Sequence, residues 1–313
     1  MEKKEIFSYA TSFIGEHTIY GYIYGSPEGE HSAAIVGAMR GTEYQQLYIC
    51  SLLSEKLAEL EESGDIVSGK SIMIIPSINY GAMNASQKFW LSDNSDLNRA
   101  FPGNPEGPAT SRLAHELLTE LRTYLYGIQF PSFYMRGKFI PHVRMIKSSR
   151  QSVNLANLFG LPFVMTGESR SYDEKTLHYN WQEAGTEAFA IYSGGTDRLD
   201  RNYARYAVAA VLRFLSRMGI IRYNSMGGNV SENLAEDEME SIKSEAAGFL
   251  GKRASVSDEV SRGDIIAKII DPLEGRVLQN VRAPYSGIIF YAQDDPMVYQ
   301  NVVIYKMIRK LHL

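Results

Sequence analysis

Asp96-Leu97-Asn98-Arg99-Ala100-Phe101-Pro102-Gly103 lies near the end of a stretch, residues 79–108, that is rich in Gly, Asn and Ser and shows no periodicity. Loops of that length inside a compact domain are usually functional. The flanks of this one decide the fold. Before it, residues 71–78 form a short apolar run of strand length, and after it residues 109–126 are expected to form a helix. The alternation continues in both directions. Residues 33–38 read as a buried strand, followed by a helix whose apolar face takes Leu47, Cys50, Leu53, Leu57 and Leu60. Downstream come strand-length runs at 127–130, 140–146, 162–165 and 188–192, then a helix over 202–218. From Ser32 to about Gly219 this predicts an α/β domain with a mixed, mostly parallel sheet flanked by helices.

After Tyr223 the pattern changes. Gly227-Gly228 and an acidic stretch over 232–245 lead into short β-like runs at 265–270, 275–281, 287–291 and 302–308, separated by turn signals. These predict a smaller C-terminal all-β domain of barrel or sandwich type, so that the chain divides into residues 1–223 and 224–313. The net charge of −4 and the lack of any long block of like charges argue against a nucleic-acid partner. A single cysteine, Cys50, excludes an internal disulfide framework and a cysteine-based metal site, and is expected in the core. Residues 1–5 run into mixed polar sequence, and no window approaches the roughly 18 apolar residues of a membrane span. The expectation is a cytoplasmic protein with no membrane partner.

Three segments in fixed order carry a family likeness: Asn79-Tyr80-Gly81, Lys88-Phe89-Trp90, and the eight residues from Asp96 to Gly103. Together they resemble the loop of the succinylglutamate desuccinylase and aspartoacylase family, itself similar to zinc carboxypeptidases, and the likeness extends over roughly residues 30–220. The resemblance implies a carboxypeptidase-like fold and a metal-dependent hydrolase of N-acyl amino acids. It also implies that Asn98 and Arg99 bind a substrate carboxylate or carbonyl, a task suited to a planar guanidinium with paired donors. Arg144, in Ile140-Pro141-His142-Val143-Arg144, resembles the family's second carboxylate-binding arginine. Zinc in such a site takes two histidines and a glutamate and keeps one place open for water.

The residues that should do the chemistry differ. Gly37-Ala38-Met39-Arg40-Gly41-Thr42-Glu43 corresponds to the family's Gly-x-x-His-Gly-x-Glu, so Glu43 is the one retained metal-ligand position and Arg40 stands for a histidine. In residues 127–132, Gln129 replaces an aspartate and Pro131 the other histidine; in residues 188–195, Tyr192 stands at the general-base position. A permanent cation and a dication exclude each other electrostatically, so Arg40 is expected to pair with Glu43 in the vacated metal site. No cofactor is expected on the motif positions, and zinc only if His142, His178 or His115 builds a displaced site. The reading is a catalytically altered or inactive family member. It binds a small acidic metabolite or N-acyl amino acid through Asn98, Arg99, Arg40 and Arg144, with Tyr192 lining the wall. An active hydrolase with a displaced metal and an assembly protein are the alternatives. Residues 269–272, 282–287 and 296–298 resemble a lipoyl- or biotinyl-like β module, yet the turn at Tyr285-Ser286 has no lysine to modify. That module is therefore expected to shield the pocket or to join copies into a homo-oligomer.

Overall fold

The computed structural model describes residues 1–10, 15–133, 135–147, 152–195, 198–225 and 227–309. The elements run β1 (Glu2–Ala10), β2 (Glu16–Gly25), β3 (Glu30–Ala38), α1 (Tyr44–Glu62), β4 (Lys70–Ser77), α2 (Tyr80–Asn84), α3 (Ala109–Leu121), β5 (Tyr126–Gln129), β6 (Gly137–Phe139) and β7 (His142–Ile146). They continue with α4 (Val153–Asn157), β8 (Phe163–Gly167), α5 (Leu177–Glu183), β9 (Glu187–Tyr192), α6 (Arg201–Arg217), β10 (Glu232–Ala235), β11 (Met239–Lys243) and β12 (Gly248–Lys252). The last strands are β13 (Glu259–Val260), β14 (Ile265–Ile270), β15 (Val277–Arg282), β16 (Gly287–Gln293), β17 (Met297–Val298) and β18 (Val303–Arg309). The chain forms two compact units, residues 1–132 with 141–233, and residues 133–140 with 234–313. The main division thus falls between Asn233 and Leu234 rather than near residue 224, and a short excursion of the first half belongs to the second unit.

Among the described residues, the first unit is built on a nine-stranded sheet in the order β1-β2-β4-β3-β5-β9-β7-β8-β10. Its centre is parallel: β3 pairs with β4 and β5, and β5 with β9. Strand β7 runs antiparallel to β9, so its first residue, His142, pairs with the last of β9, Tyr192. Residues 32–38 of β3 are buried throughout, as a central strand covered on both faces requires. Ala33 and Ile35 face one apolar cluster with Cys50, Leu53 and Leu57 of α1 and Ala207, Val211 and Phe214 of α6. Ala34 and Val36 face the other, with Leu113 and Leu117 of α3, Trp181 of α5, and Leu97 and Phe101 of the motif. Cys50 is fully buried, and burial pushes its thiol pKa up.

The helix expected to reach Tyr126 ends at Leu121 instead. Tyr126 already pairs with Ala33 in the parallel ladder, so a turn over 122–125 must return the chain to the sheet. Gly127 in β5 lies against the Trp181 indole, and a Cβ there would come within 2.6 Å of the ring. Gly127→Ala is expected to cost about 1–3 kcal/mol through overpacking, read as a lowered urea midpoint at unchanged slope.

In the second unit, a sheet ordered β11-β18-β16-β13, with β6 also on β16, accompanies a four-stranded sheet ordered β15-β14-β12-β17. Ile266, Ile269, Ile289, Ile304 and Met307 fill the core of this unit. The acidic stretch over 232–245, which shows no strand pattern in sequence, supplies β10 and β11.

Candidate functional site

In an open α/β sheet the ligand crevice lies beyond the carboxyl ends of the strands. Here β3 ends at Ala38, β5 at Gln129 and β9 at Tyr192, and the residues that follow build the candidate site. The loop over 79–103 is seated on the first of these ends. Gly41 N–H donates to Lys88 O at 3.0 Å. A side chain at residue 41 would collide with the backbone of Ala82 and Gln87, so only glycine admits this approach.

Arg40 and Glu43 form the buried centre. Arg40 Nη1 donates to Glu43 Oε1 at 3.0 Å and to Ser132 Oγ at 2.9 Å. Its Nε and Nη2 grip Asp96 Oδ1 and Oδ2 at 3.0 and 2.8 Å, a bidentate pairing. Four of the five guanidinium N–H groups are thereby committed. Burial opposes the charge on Arg40, but Glu43 and Asp96 outweigh it and hold the guanidinium above its ordinary pKa. Arg40 is therefore the counter-ion of two carboxylates and has little left to offer a ligand. Asp96 and Ser132 were not distinguished by sequence reasoning. Asp96 stands in the motif itself, yet nothing in sequence joins it to a residue 56 positions away.

The zinc implied by the family resemblance can be tested against these side chains. Glu43 Oε1 accepts from Arg40 Nη1 and from Ser132 Oγ at 2.6 Å, while Oε2 accepts from the N–H groups of Met39 and Arg40 at 2.8 and 3.0 Å. A carboxylate has about four acceptor sites, so the retained ligand position has none to spare. Gln129 Nε2 donates to Asn98 Oδ1 at 3.2 Å and contacts Met39 Sδ at 3.4 Å, and Pro131 brings no donor atom. Among the described residues no group of three or more His, Cys, Asp or Glu could hold a metal ion. His142 stacks on Tyr192 with ring centroids 5.1 Å apart, and His178 is buried against Ala188 O. His115 lies on α3. These residues do not fit zinc.

The expected carboxylate clamp divides into a buried and an exposed half. Asn98 is buried, and its Oδ1 accepts from Gln129 Nε2 and from Leu177 N–H at 3.3 Å. Its carbonyl thus locks the motif to β5 and α5. Arg99 is exposed; its Nη1 donates to Tyr172 O at 2.6 Å, and its guanidinium sits 5.3 Å from the Tyr172 ring centroid. Arg144 on β7 pairs with Asp173 at 3.4 Å. Tyr192, expected at the general-base position, ends β9, and its ring stacks on His142.

Comparison with known proteins agrees with this architecture. The model of the succinylglutamate desuccinylase/aspartoacylase catalytic domain matches residues 30–218. The N-alpha-acetyl-L-2,4-diaminobutyric acid deacetylase of Halomonas elongata is 22% identical over 271 residues, covering 82% of this chain and 76% of that protein. A crystal structure of a succinylglutamate desuccinylase from Silicibacter sp. TM1040 superposes with a TM-score of 0.78 at 21% identity, covering 96% of this chain and 91% of that one. The product-bound ectoine utilization protein EutE (DoeB) of Ruegeria pomeroyi gives a TM-score of 0.76 at 21% identity, covering 94% and 89%. With the motif loop seated at the strand ends and the catalytic-domain model spanning most of the first unit, the chain belongs to the succinylglutamate desuccinylase/aspartoacylase family.

Proposed function

We propose that this protein binds a small carboxylate ligand of the N-acyl amino acid class without hydrolysing it by the metal-water route of its family. The observation that carries this reading is the guanidinium of Arg40, bonded to Glu43, Asp96 and Ser132 where the resemblance calls for a metal. Metal-assisted hydrolysis needs bound water and a carboxylate to take its proton; the two histidine positions carry Arg40 and Pro131, the retained Glu43 is engaged by Arg40, and the base position carries Tyr192. The binding residues of the family likeness are retained. Asn98, Arg99 and Arg144 supply an amide and two cations, which recognise a carboxylate and an adjacent carbonyl. The deacetylase relative acts, by its name, on an N-acetyl amino acid, and that supports the ligand class.

The test combines elemental analysis of protein purified without added zinc with calorimetric titration of N-acetyl- and N-succinyl-amino acids. Less than a tenth of an equivalent of zinc, no turnover and measurable binding are expected. Arg99→Ala is expected to weaken that binding by roughly tenfold or more, the worth of a charge-assisted contact. Stoichiometric zinc together with chelator-sensitive hydrolysis would overturn the proposal.

A further inference from the structure

Residues 168–175, between β8 and α5, are exposed with one exception: Asp173, which is 3% exposed. An isolated buried carboxylate in an otherwise solvated segment has to be held by something. Asp173 Oδ1 meets Arg144 Nη1 at 3.4 Å, and its Oδ2 accepts from Arg170 N–H at 3.1 Å. The preceding residue engages the other candidate clamp residue, since Tyr172 O accepts from Arg99 Nη1 and the Tyr172 ring lies 5.3 Å from that guanidinium. Arg170 closes the same segment on itself, its Nη1 donating to Tyr172 Oη at 2.6 Å. Two consecutive residues of one segment therefore hold two arginines that come from separate elements, the motif turn Leu97–Arg99 and strand β7.

We propose that Asp173 is an internal competitor for the carboxylate site: it lends its own carboxylate to Arg144, and a ligand carboxylate must displace it, lifting residues 168–175, in order to bind. Asp173 is in this sense a specificity-determining residue. Carboxylate and guanidinium are the same chemical pair in the closed and the liganded state. What distinguishes a good ligand is a second contact, through Asn98 or Arg99, that Asp173 cannot make, so a simple monocarboxylate is rejected and an N-acyl amino acid accepted. A site closed in most molecules lowers apparent affinity by the fraction that is open. This inference rests on the carboxylate-binding reading of the site.

The probes are acetate and N-acetyl-L-glutamate, titrated calorimetrically into the full chain, its Asp173→Asn variant and the double variant Asp173→Asn with Arg144→Gln. Asp173→Asn is expected to bind N-acetyl-L-glutamate about tenfold more tightly than the unaltered chain and to gain measurable acetate binding, with both gains abolished in the double variant. In the unaltered chain, saturating N-acetyl-L-glutamate is expected to speed tryptic cleavage after Arg170 and Lys175 at least threefold, a readout that needs no substituted protein. Binding that is unchanged or weaker in Asp173→Asn, with Arg99→Ala still reducing it, overturns the competitor and leaves the carboxylate reading standing. Slower or unchanged cleavage in the unaltered chain at saturation also overturns it. If neither probe binds any of the proteins, both readings fall.

Discussion

Arg40→Met is expected to destabilise the first unit by about 3–5 kcal/mol, the cost of removing one partner from a buried charge cluster. The side chains of Arg40 and Glu43 are 10% and 1% exposed, and that of Asp96 21%, so solvent does little to replace the lost guanidinium. Two carboxylates are left facing one cavity without a cation. Coupling separates this from a simple loss of packing. Adding Glu43→Gln and Asp96→Asn to Arg40→Met removes every charge of the cluster, and the triple variant should recover most of the loss, because a cluster neutralised as a whole carries no uncompensated ion. Urea unfolding followed through the first unit measures both numbers. A loss below about 1 kcal/mol for Arg40→Met, or no recovery in the triple variant, would show that the cluster is not held by its charges.

The same cluster marks how far the sequence could be read. The α/β alternation was legible because residues 33–38, 72–75 and 188–192 form short apolar runs, which is what burial on both faces imposes. The first two strands were not: β1, at the edge of the sheet, opens on the charged run Glu2-Lys3-Lys4-Glu5, and β2 mixes polar residues and glycine with its apolar ones, so neither shows an apolar run. The pairing of Arg40 with Glu43 was legible because three residues separate them. Asp96 and Ser132, at 56 and 92 residues from Arg40, were not, because only the folded chain brings the motif turn and the end of β5 to the end of β3. Asp173 had no signal at all: it lies in an exposed polar segment matching no motif, and only its burial against β7 sets it apart.

Asp96 also ties the motif to the residue at the expected metal-ligand position. Its side chain accepts from Asn98 N–H at 3.2 Å, capping the short turn that carries Asn98 and Arg99, while both its oxygens bind Arg40. The cation at residue 40 thus braces the turn that presents the clamp. On the proposed reading, the residue at an expected metal-ligand position would thus support the turn that binds the ligand.

Acidification is expected to weaken the protein through His178, which sits on α5 beside that support. Burial, and next the charge of Arg144, lower its pKa to about 3, against a smaller opposing effect of the hydrogen bond between Nε2 and Ala188 O at 3.1 Å. That bond to a carbonyl assigns the proton of the neutral ring to Nε2. The unfolded chain binds a proton at this residue near pH 6.5, while the folded chain does so only near pH 3. Above pH 6.5 both states are neutral and the contribution of His178 is complete. Between the two values the unfolded state holds the extra proton, so stability falls with falling pH by about 1.4 kcal/mol per unit. From pH 6.5 to pH 5.0 this amounts to on the order of 2 kcal/mol. His178→Gln keeps a donor for the carbonyl and removes the titration. Its unfolding free energy, measured in urea at pH 7.5 and pH 5.0, should therefore fall by about 2 kcal/mol less than that of the unaltered chain, since carboxylate contributions are common to both and cancel in the difference. Parallel pH profiles for the two proteins would mean that the imidazole takes up its proton in the folded state as readily as in the unfolded one.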